Sequence, residues 1–123
     1  MNQVGLLEPQ VIEAVKTYFA QRGFNETPEP PADLVFSNTQ GQKWRVEAKG
    51  DTRNKTIDFN TGMGQLLKQM KNCGSEYGLA LPDIRAYRTQ ARKISMWVRR
   101  QLHLHFLFVT NEGDIEDVAP EPQ

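Results

Sequence analysis

The sequence predicts an α/β protein of the α+β type, in which helices cover both faces of a mixed β-sheet. Apolar residues recur at helical spacing in several segments, and strand-like segments with period-two or continuous apolar patterns stand between them. Helices interleaved with strands imply a layered arrangement in which each helix packs on the sheet. The predicted order of elements is α-β-β-β-α-β-α-β-β.

Length and composition fit one globular domain. The chain has 123 residues, of which 38% are hydrophobic and 24% charged. We expect a single domain over residues 1–118 and a disordered tail, rich in proline and acid, over 119–123. A single cysteine, the lack of signal-peptide features and the absence of a long apolar stretch lead us to expect a cytoplasmic protein that makes no membrane contact.

Three helices are predicted from their apolar stripes. The first covers 8–22 and ends at Gly23, which suits a C-terminal cap. The second covers 61–74, and the third covers 83–101, where Asp83 has the side chain of a good N-cap.

The segment KWRVEAK, residues 43–49, alternates apolar and charged side chains with strict period two, as a strand does. The segment 32–37 precedes it, and Thr39-Gln40-Gly41 offers a three-residue hairpin loop with glycine at the left-handed position. In that register Asp33 lies opposite Glu47. Further strands are predicted at 56–59, 76–82, 103–109 and 115–118, with a short edge strand within 24–32.

This register places Asp33, Glu47 and Lys49 on one face of the hairpin. Two carboxylates a few ångströms apart repel each other unless a cation lies between them. Mg²⁺ is hard and prefers oxygen ligands, and we expect Mn²⁺ to substitute for it. A lysine beside such an ion can position a water molecule or stabilise negative charge on a phosphate. The exposed face of the strand is therefore predicted to hydrolyse phosphodiesters.

Pro31-Ala32-Asp33, followed by Glu47-Ala48-Lys49, resembles the signature of the PD-(D/E)XK nuclease superfamily, which has the restriction-endonuclease-like fold. The chain is most similar to the branch that contains Holliday-junction resolvases and Mrr-like restriction enzymes. The resemblance covers residues 5 to about 82. The motif is short, and its position on a strand before a helix is what makes it specific. Alanine stands at position 32, where proline is usual.

The resemblance implies a metal-dependent DNA endonuclease. In such enzymes the residues matching Asp33 and Glu47, together with the backbone carbonyl matching Ala48, bind the metal ion, and the lysine matching Lys49 is catalytic. Many members add an acid on the first helix and a glutamine on the second.

Two positions compete for each accessory role. Helical angles place Glu8 on the inward stripe of the first helix and Glu13 nearly opposite to it, so Glu8 is the predicted site residue. Gln65 is the predicted glutamine because it lies near the start of the second helix, and Gln69 is its alternative.

Arg45, Arg53 and Lys55 are predicted to hold the phosphate backbone of duplex or branched DNA. Net charge is zero, but residues 84–111 carry six basic residues and no acid, so a local positive field is expected. A homodimer fits this function, since cutting two strands needs two active sites or two visits.

Two other functions are compatible with the sequence. The chain could be a catalytically silent DNA-binding or assembly subunit of a defence or repair system, or an α/β interaction domain in which the E-A-K segment is a solvated strand face. His103 and His105 alternate on one strand face, but they are interpreted as packing residues. Trp97 falls on an apolar stripe and is interpreted as a core residue.

Overall fold

The computed structural model describes residues 5–30, 34–71 and 74–121, which form a six-stranded sheet and four helices. None of these helices is long and apolar enough to cross a bilayer. The elements are α1 (Glu8–Gln21), β1 (Asn25–Glu26), β2 (Leu34–Ser37), β3 (Lys43–Ala48), α2 (Lys55–Leu67), β4 (Glu76–Pro82), α3 (Arg85–Arg92), α4 (Met96–Leu102), β5 (Leu104–Val109) and β6 (Ile115–Val118).

The strands lie in the sheet in chain order from β1 to β6. β3, β4 and β5 are mutually parallel, and the other neighbouring pairs are antiparallel. The parallel pairs need crossover connections, and α2 joins β3 to β4 while α3 and α4 join β4 to β5. The predicted mixed sheet of an α+β protein is confirmed.

The helix α1 covers one face of the sheet. Its buried stripe of Val11, Val15 and Phe19 packs on a cluster that includes Val46 and Leu107. It begins and ends within one residue of the prediction, and Gly23 follows it with φ of 82°, a backbone angle that favours glycine.

The other three helices cover the opposite face. Phe59 and Leu66 of α2 and Tyr87 of α3 pack on a second cluster with Leu79 and Phe106. Both faces are therefore buried, and a polar side chain on the α2 side of β3 must find its partners inside the protein.

The second helix begins earlier than predicted. Residues 56–59 were expected to form a strand, but they are the first turns of α2, which ends at Leu67 and not at residue 74. Thr, Ile and Phe have strand propensity, yet Phe59 lies seven residues before Leu66 and buries on the same side of the helix. Tertiary burial therefore overrides local propensity here.

The third predicted helix is two helices. A break after Arg92 separates α3 from α4, which begins where the Ser95 hydroxyl accepts a hydrogen bond from the Val98 N–H at 3.3 Å. Trp97 is 67% exposed, so its interpretation as a core residue is wrong. Asp83 is not the N-cap either, because α3 begins one residue later with Ile84 in that position, and the Asp83 carboxylate instead accepts a hydrogen bond from Arg88 at 2.8 Å.

The predicted hairpin register is confirmed as far as the structure describes it. Leu34 pairs with Val46, and the Asn38 N–H donates to the Gln42 carbonyl at 3.1 Å. Gly41 has φ of 82° in the loop. Asp33 lies outside the described residues, so its predicted place opposite Glu47 stays a prediction.

The predicted division of the chain at residue 118 also stays a prediction. Of the tail, residues 119–121 are described, and the Glu121 carboxylate pairs with Arg100 at 3.1 Å. This contact ties the start of the tail to α4.

His105 joins three strands on the α1 face. Its ring is 7% exposed, with Nδ1 2.8 Å from Asp117 on β6 and Nε2 2.8 Å from Glu76 on β4. The other Glu76 oxygen lies 3.0 Å from His103 Nδ1, and the Trp44 ring packs beside His105 with centroids 4.3 Å apart. Burial disfavours the charged ring, but the hydrogen bonds to the two carboxylates outweigh it, and the pKa of His105 is raised.

This geometry predicts that the protein loses stability as pH rises above about 6.5, the ordinary pKa of histidine. A histidine with a raised folded-state pKa contributes fully below its unfolded pKa of about 6.5, and the contribution is lost as pH rises through the higher folded pKa. We expect His105→Gln to flatten that part of the curve of unfolding free energy against pH, measured by urea unfolding. His103→Gln is the control, because that ring is 63% exposed. Equal pH dependence in wild type and His105→Gln would contradict the assignment.

Candidate functional site

Strand β3 places Glu47 and Lys49 on the sheet face that α2 covers. Val46 and Ala48 point to α1, so Glu47 between them points the other way. Glu47 is 1% exposed and Lys49 is partly buried. The expectation that this face is open to solvent is therefore wrong: Glu47 lies in a covered site, where its carboxylate is desolvated and must be held by partners.

Gln69 is a partner of Glu47. Its Nε2 donates a hydrogen bond to Glu47 Oε2 at 2.5 Å. Gln69 lies just beyond the end of α2, where its N–H donates to the Leu66 carbonyl at 3.0 Å. Gln65 is exposed on α2 and has no such contact, so the alternative glutamine, and not the predicted one, reaches the carboxylate.

The amide oxygen of Gln69, unlike its Nε2, has no hydrogen-bond partner among the described residues. This atom, Oε1, is also buried. A buried acceptor without a donor costs about 1–3 kcal/mol. The site thus contains an oxygen beside Glu47 that a further donor or a cation would satisfy.

Lys49 continues β3 toward the carboxyl ends of the parallel strands. Its N–H donates to the Ala80 carbonyl at 3.0 Å, which fixes the backbone. Its ammonium group has no hydrogen bond or ion pair with any residue in the described part of the chain. A partly buried, unpaired ammonium two residues from a buried carboxylate is available to bind an anionic ligand.

The stem of Lys49 passes over Gly62 of α2. A Cβ at position 62 would lie 2.9 Å from Leu79 Cδ1 and 3.2 Å from Lys49 Cγ. At Gly64, in the same helix, a Cβ would meet nothing within 4 Å. Gly62 therefore gives Lys49 the space to lie against the helix.

These two glycines make a matched pair for mutation. We expect Gly64→Ala to stabilise the protein by about 1 kcal/mol, because alanine favours helix more than glycine does. Gly62→Ala gains the same propensity but must displace Leu79 and Lys49, so we expect little or no stabilisation. Urea unfolding measures both. Equal stabilisation by the two substitutions would show that Lys49 is not confined by the helix.

The start of α1 packs on the end of β3 at Gly50. A Cβ on this glycine would lie 2.8 Å from the Leu7 carbonyl carbon and 2.9 Å from Glu8 Cα. Glu8 was expected to face inward, but its side chain is exposed beside this contact. Glu13 is exposed elsewhere, in a groove between α1 and the turn at residues 111–113.

Tyr87 of α3 fixes Gly50 from the other side. Its hydroxyl donates to the Gly50 carbonyl at 2.7 Å. Burial, followed by the charges of Asp58 and Asp51, raises the pKa of Tyr87 to about 12, so the hydroxyl remains a donor. Asp51 also accepts a hydrogen bond from the Gly5 N–H at 2.9 Å. The chain around Gly50 is therefore rigidly held, which fixes the backbone next to Lys49.

The three predicted phosphate contacts differ in their availability. Arg45 pairs with Glu29 at 2.8 Å, and hydrogen bonds from Lys43 and then Arg45 lower the pKa of Glu29. Lys55 is the first residue of α2, not a loop residue, and pairs with Asp51 at 3.0 Å. Arg53 alone among the three is exposed without a partner in the described chain.

The donor set for a metal ion is incomplete in the described residues. They contain no group of three or more histidine, cysteine, aspartate or glutamate side chains that could hold a metal. They do contain the Glu47 carboxylate and the unpaired Gln69 Oε1, which are hard oxygen donors of the kind that Mg²⁺ prefers. These groups fit a hard divalent cation, with Asp33 as the predicted further ligand.

The fold is shared with solved structures, among them the following two. One is an XisH family protein from Nostoc punctiforme, 17% identical to this chain. The other, from Anabaena variabilis, is described as an fdxN element excision controlling factor protein and is 20% identical. Each has a TM-score of 0.63, and each alignment covers 89% of this chain and 98% of the other. At these identities the likeness shows a shared fold and nothing finer.

No family model and no curated protein matches the chain. The comparison therefore extends to the fold, and the predicted branch of resolvases and Mrr-like enzymes has no support beyond the sequence resemblance.

Proposed function

We propose that the chain is a metal-dependent phosphodiester hydrolase that cleaves DNA at the end of β3. The observation that carries this proposal is the buried Glu47 carboxylate, held by Gln69, two residues from a lysine whose ammonium is unpaired in the described chain. On a restriction-endonuclease-like sheet, metal-dependent hydrolysis of a phosphodiester needs a carboxylate that binds the metal ion and a cation that stabilises the negative charge on the phosphate.

The metal site would consist of Glu47, Asp33 and the Ala48 carbonyl. A bound Mg²⁺ or Mn²⁺ would polarise the phosphate and lower the pKa of a coordinated water. Gln69 orients Glu47 by donating a hydrogen bond to one carboxylate oxygen, and its own Oε1 could accept a hydrogen bond from an ordered water.

Lys49 would hold the scissile phosphate. Its ammonium stabilises the negative charge that grows on the phosphate oxygens during attack, and it can also position the water. Gly62 keeps its stem against α2, and Gly50 keeps its backbone in place. An oriented side chain needs little reorganisation as the reaction proceeds.

DNA is the proposed substrate, with Arg53 as the available contact to its backbone. Glu8, exposed beside Gly50, can contribute an accessory carboxylate from α1. The proposed place within the superfamily, near Holliday-junction resolvases and Mrr-like enzymes, follows from the resemblance. A homodimer would supply the two active sites with which both strands can be cut.

A second candidate function is a catalytically silent subunit with the same fold. Two observations favour it: the Anabaena variabilis neighbour is described as a controlling factor, and Gln69 directly occupies one oxygen of Glu47. In this case Glu47 and Gln69 are a structural pair, and the chain binds DNA or a partner without cutting.

Cleavage of supercoiled plasmid separates the two functions. We expect the wild-type protein to nick plasmid with Mg²⁺ or Mn²⁺ and to stop when EDTA is added. Asp33→Asn and Glu47→Gln should both remove the activity, while Lys16→Gln should not, because this partly buried lysine of α1 pairs with Glu13 and Glu26 and not with the site. A wild-type protein that leaves plasmid intact with either metal would support the silent subunit.

A further inference from the structure

A cavity of about 90 Å³ lies between α3, α4 and the strands β5 and β6. Three arginines, Arg88, Arg92 and Arg99, line it together with the rings of Phe106 and Phe108. Three guanidinium groups around one small space repel each other unless anions lie between them. The positive charge of the three arginines therefore favours an anionic ligand in this cavity.

Arg99 is a buried cation without an ion pair in the described chain. It is 7% exposed, its Nη2 donates to the Val118 carbonyl at 2.6 Å, and its guanidinium lies 5.0 Å over the Phe106 ring. Its Nε is buried and has no hydrogen-bond partner among the described residues. Burial lowers the pKa of Arg99, against the opposing charges of Asp117 and Glu121.

The other two arginines differ in how far they are neutralised. Arg88 lies 4.0 Å over the Phe108 ring and pairs with Asp83 at 2.8 Å and with Glu116 at 2.7 Å. Two carboxylates therefore compensate Arg88. Arg92 is exposed and has no partner in the described chain, so neither it nor Arg99 is paired with a contacting carboxylate of the described residues.

We infer that this cavity is a binding site for a phosphate group, held by Arg92 and Arg99 above a floor of two phenylalanine rings. Guanidinium groups bind phosphate oxygens through two parallel hydrogen bonds, and apolar walls strengthen them by excluding water. A cavity of about 150 Å³ holds benzene, so this smaller one suits a tetrahedral anion better than a nucleobase.

The cavity is separate from the candidate metal site. On α3, Tyr87 contacts Gly50 on one side, while Arg88 contacts Glu116 of β6 on the other. The helix thus lies between the two sites. The phosphate could belong to a free anion or to a nucleic-acid backbone, and the inference does not depend on the proposed cleavage.

The test is calorimetric titration of inorganic phosphate into the full chain, at constant ionic strength and in EDTA. We expect saturable binding and a Kd that rises about tenfold in Arg92→Gln, since a charged hydrogen-bonding partner is lost. Lys93→Gln is the matched control, because Lys93 is equally exposed and unpaired in the described chain but does not line the cavity. Arg99→Lys, checked for folding by circular dichroism, should weaken binding while keeping the charge.

A parallel titration with a short DNA duplex, also in EDTA, identifies the source of the phosphate. If the duplex loses affinity in Arg92→Gln more than in Lys93→Gln, and phosphate competes with it, the ligand is the nucleic-acid backbone. If inorganic phosphate alone distinguishes the two variants, the ligand is a free anion. Identical affinities of both variants for both ligands would overturn the inference, whether or not the protein cleaves DNA with metal present.

Discussion

Lys49→Ala is expected to slow DNA cleavage by about 10²- to 10³-fold, the usual cost of removing one group that stabilises transition-state charge. The substitution removes an ammonium that is unpaired in the described chain, so we expect the free energy of unfolding to change by less than about 1 kcal/mol. A large kinetic loss with an intact fold would separate a catalytic role from a structural one.

Single-turnover cleavage of plasmid at saturating Mg²⁺ measures this effect. Lys93→Ala is the control, because Lys93 is also unpaired among the described residues but lies elsewhere, and this variant should cleave at the wild-type rate. Mn²⁺ affinity should be unchanged in Lys49→Ala, because lysine is not a proposed ligand. Cleavage within threefold or so of wild type would remove Lys49 from the mechanism, given that a catalytic group contributes at least about 10²-fold.

Gly50→Ala is expected to destabilise the protein by about 3 kcal/mol or more, because the added methyl group would overlap backbone atoms. Its Cβ would lie within 3 Å of the Leu7 carbonyl carbon and the Glu8 Cα. Backbone atoms cannot rotate away as a side-chain end can, so the start of α1 must separate from β3. The hydrogen bond from Tyr87 to the Gly50 carbonyl should weaken with it.

Urea unfolding measures the change in free energy of unfolding for Gly50→Ala. Gly64→Ala is the control, because it is the same substitution at a position where the added methyl group meets nothing within 4 Å. The two changes should have opposite signs. A Gly50→Ala protein as stable as wild type would mean that the contact between α1 and the end of β3 is looser than the structure has it.

The hairpin and its register could be predicted because local rules determine them. The alternation in 43–49 defines the two faces, and Gly41 defines the loop length. Together these put Leu34 opposite Val46, as observed. The same local information identifies Glu47 and Lys49 as neighbours on one face.

The boundaries of α2, the break between α3 and α4 and the exposure of Trp97 could not be predicted, since they depend on packing. The apolar stripe of 83–101 continues across the break before Ser95, and nothing in its spacing shows that the chain changes direction there. After that change, Trp97 points to solvent. Residues 56–59 have strand propensity, but they are helical because α2 buries Phe59 against the core.

Which glutamine contacts Glu47 could also not be predicted from the sequence. Gln65 and Gln69 are four residues apart, on neighbouring positions of one helical face. The choice between them depends on where α2 ends and how it crosses β3, which only the tertiary structure provides. That α2 covers the face with Glu47 follows from the same crossing.

If Glu47 is a metal ligand, the protein must bind the ion more weakly when the charge of Glu47 is removed. Calorimetric titration of Mn²⁺ into the wild type and into Glu47→Gln measures this directly. The proposed function predicts saturable binding to the wild type and at least about tenfold weaker binding to the variant, as expected for loss of a charged ligand. Wild-type protein that binds no Mn²⁺ at millimolar concentration, or a Glu47→Gln variant that binds it equally well, would show that Glu47 is a structural carboxylate held by Gln69.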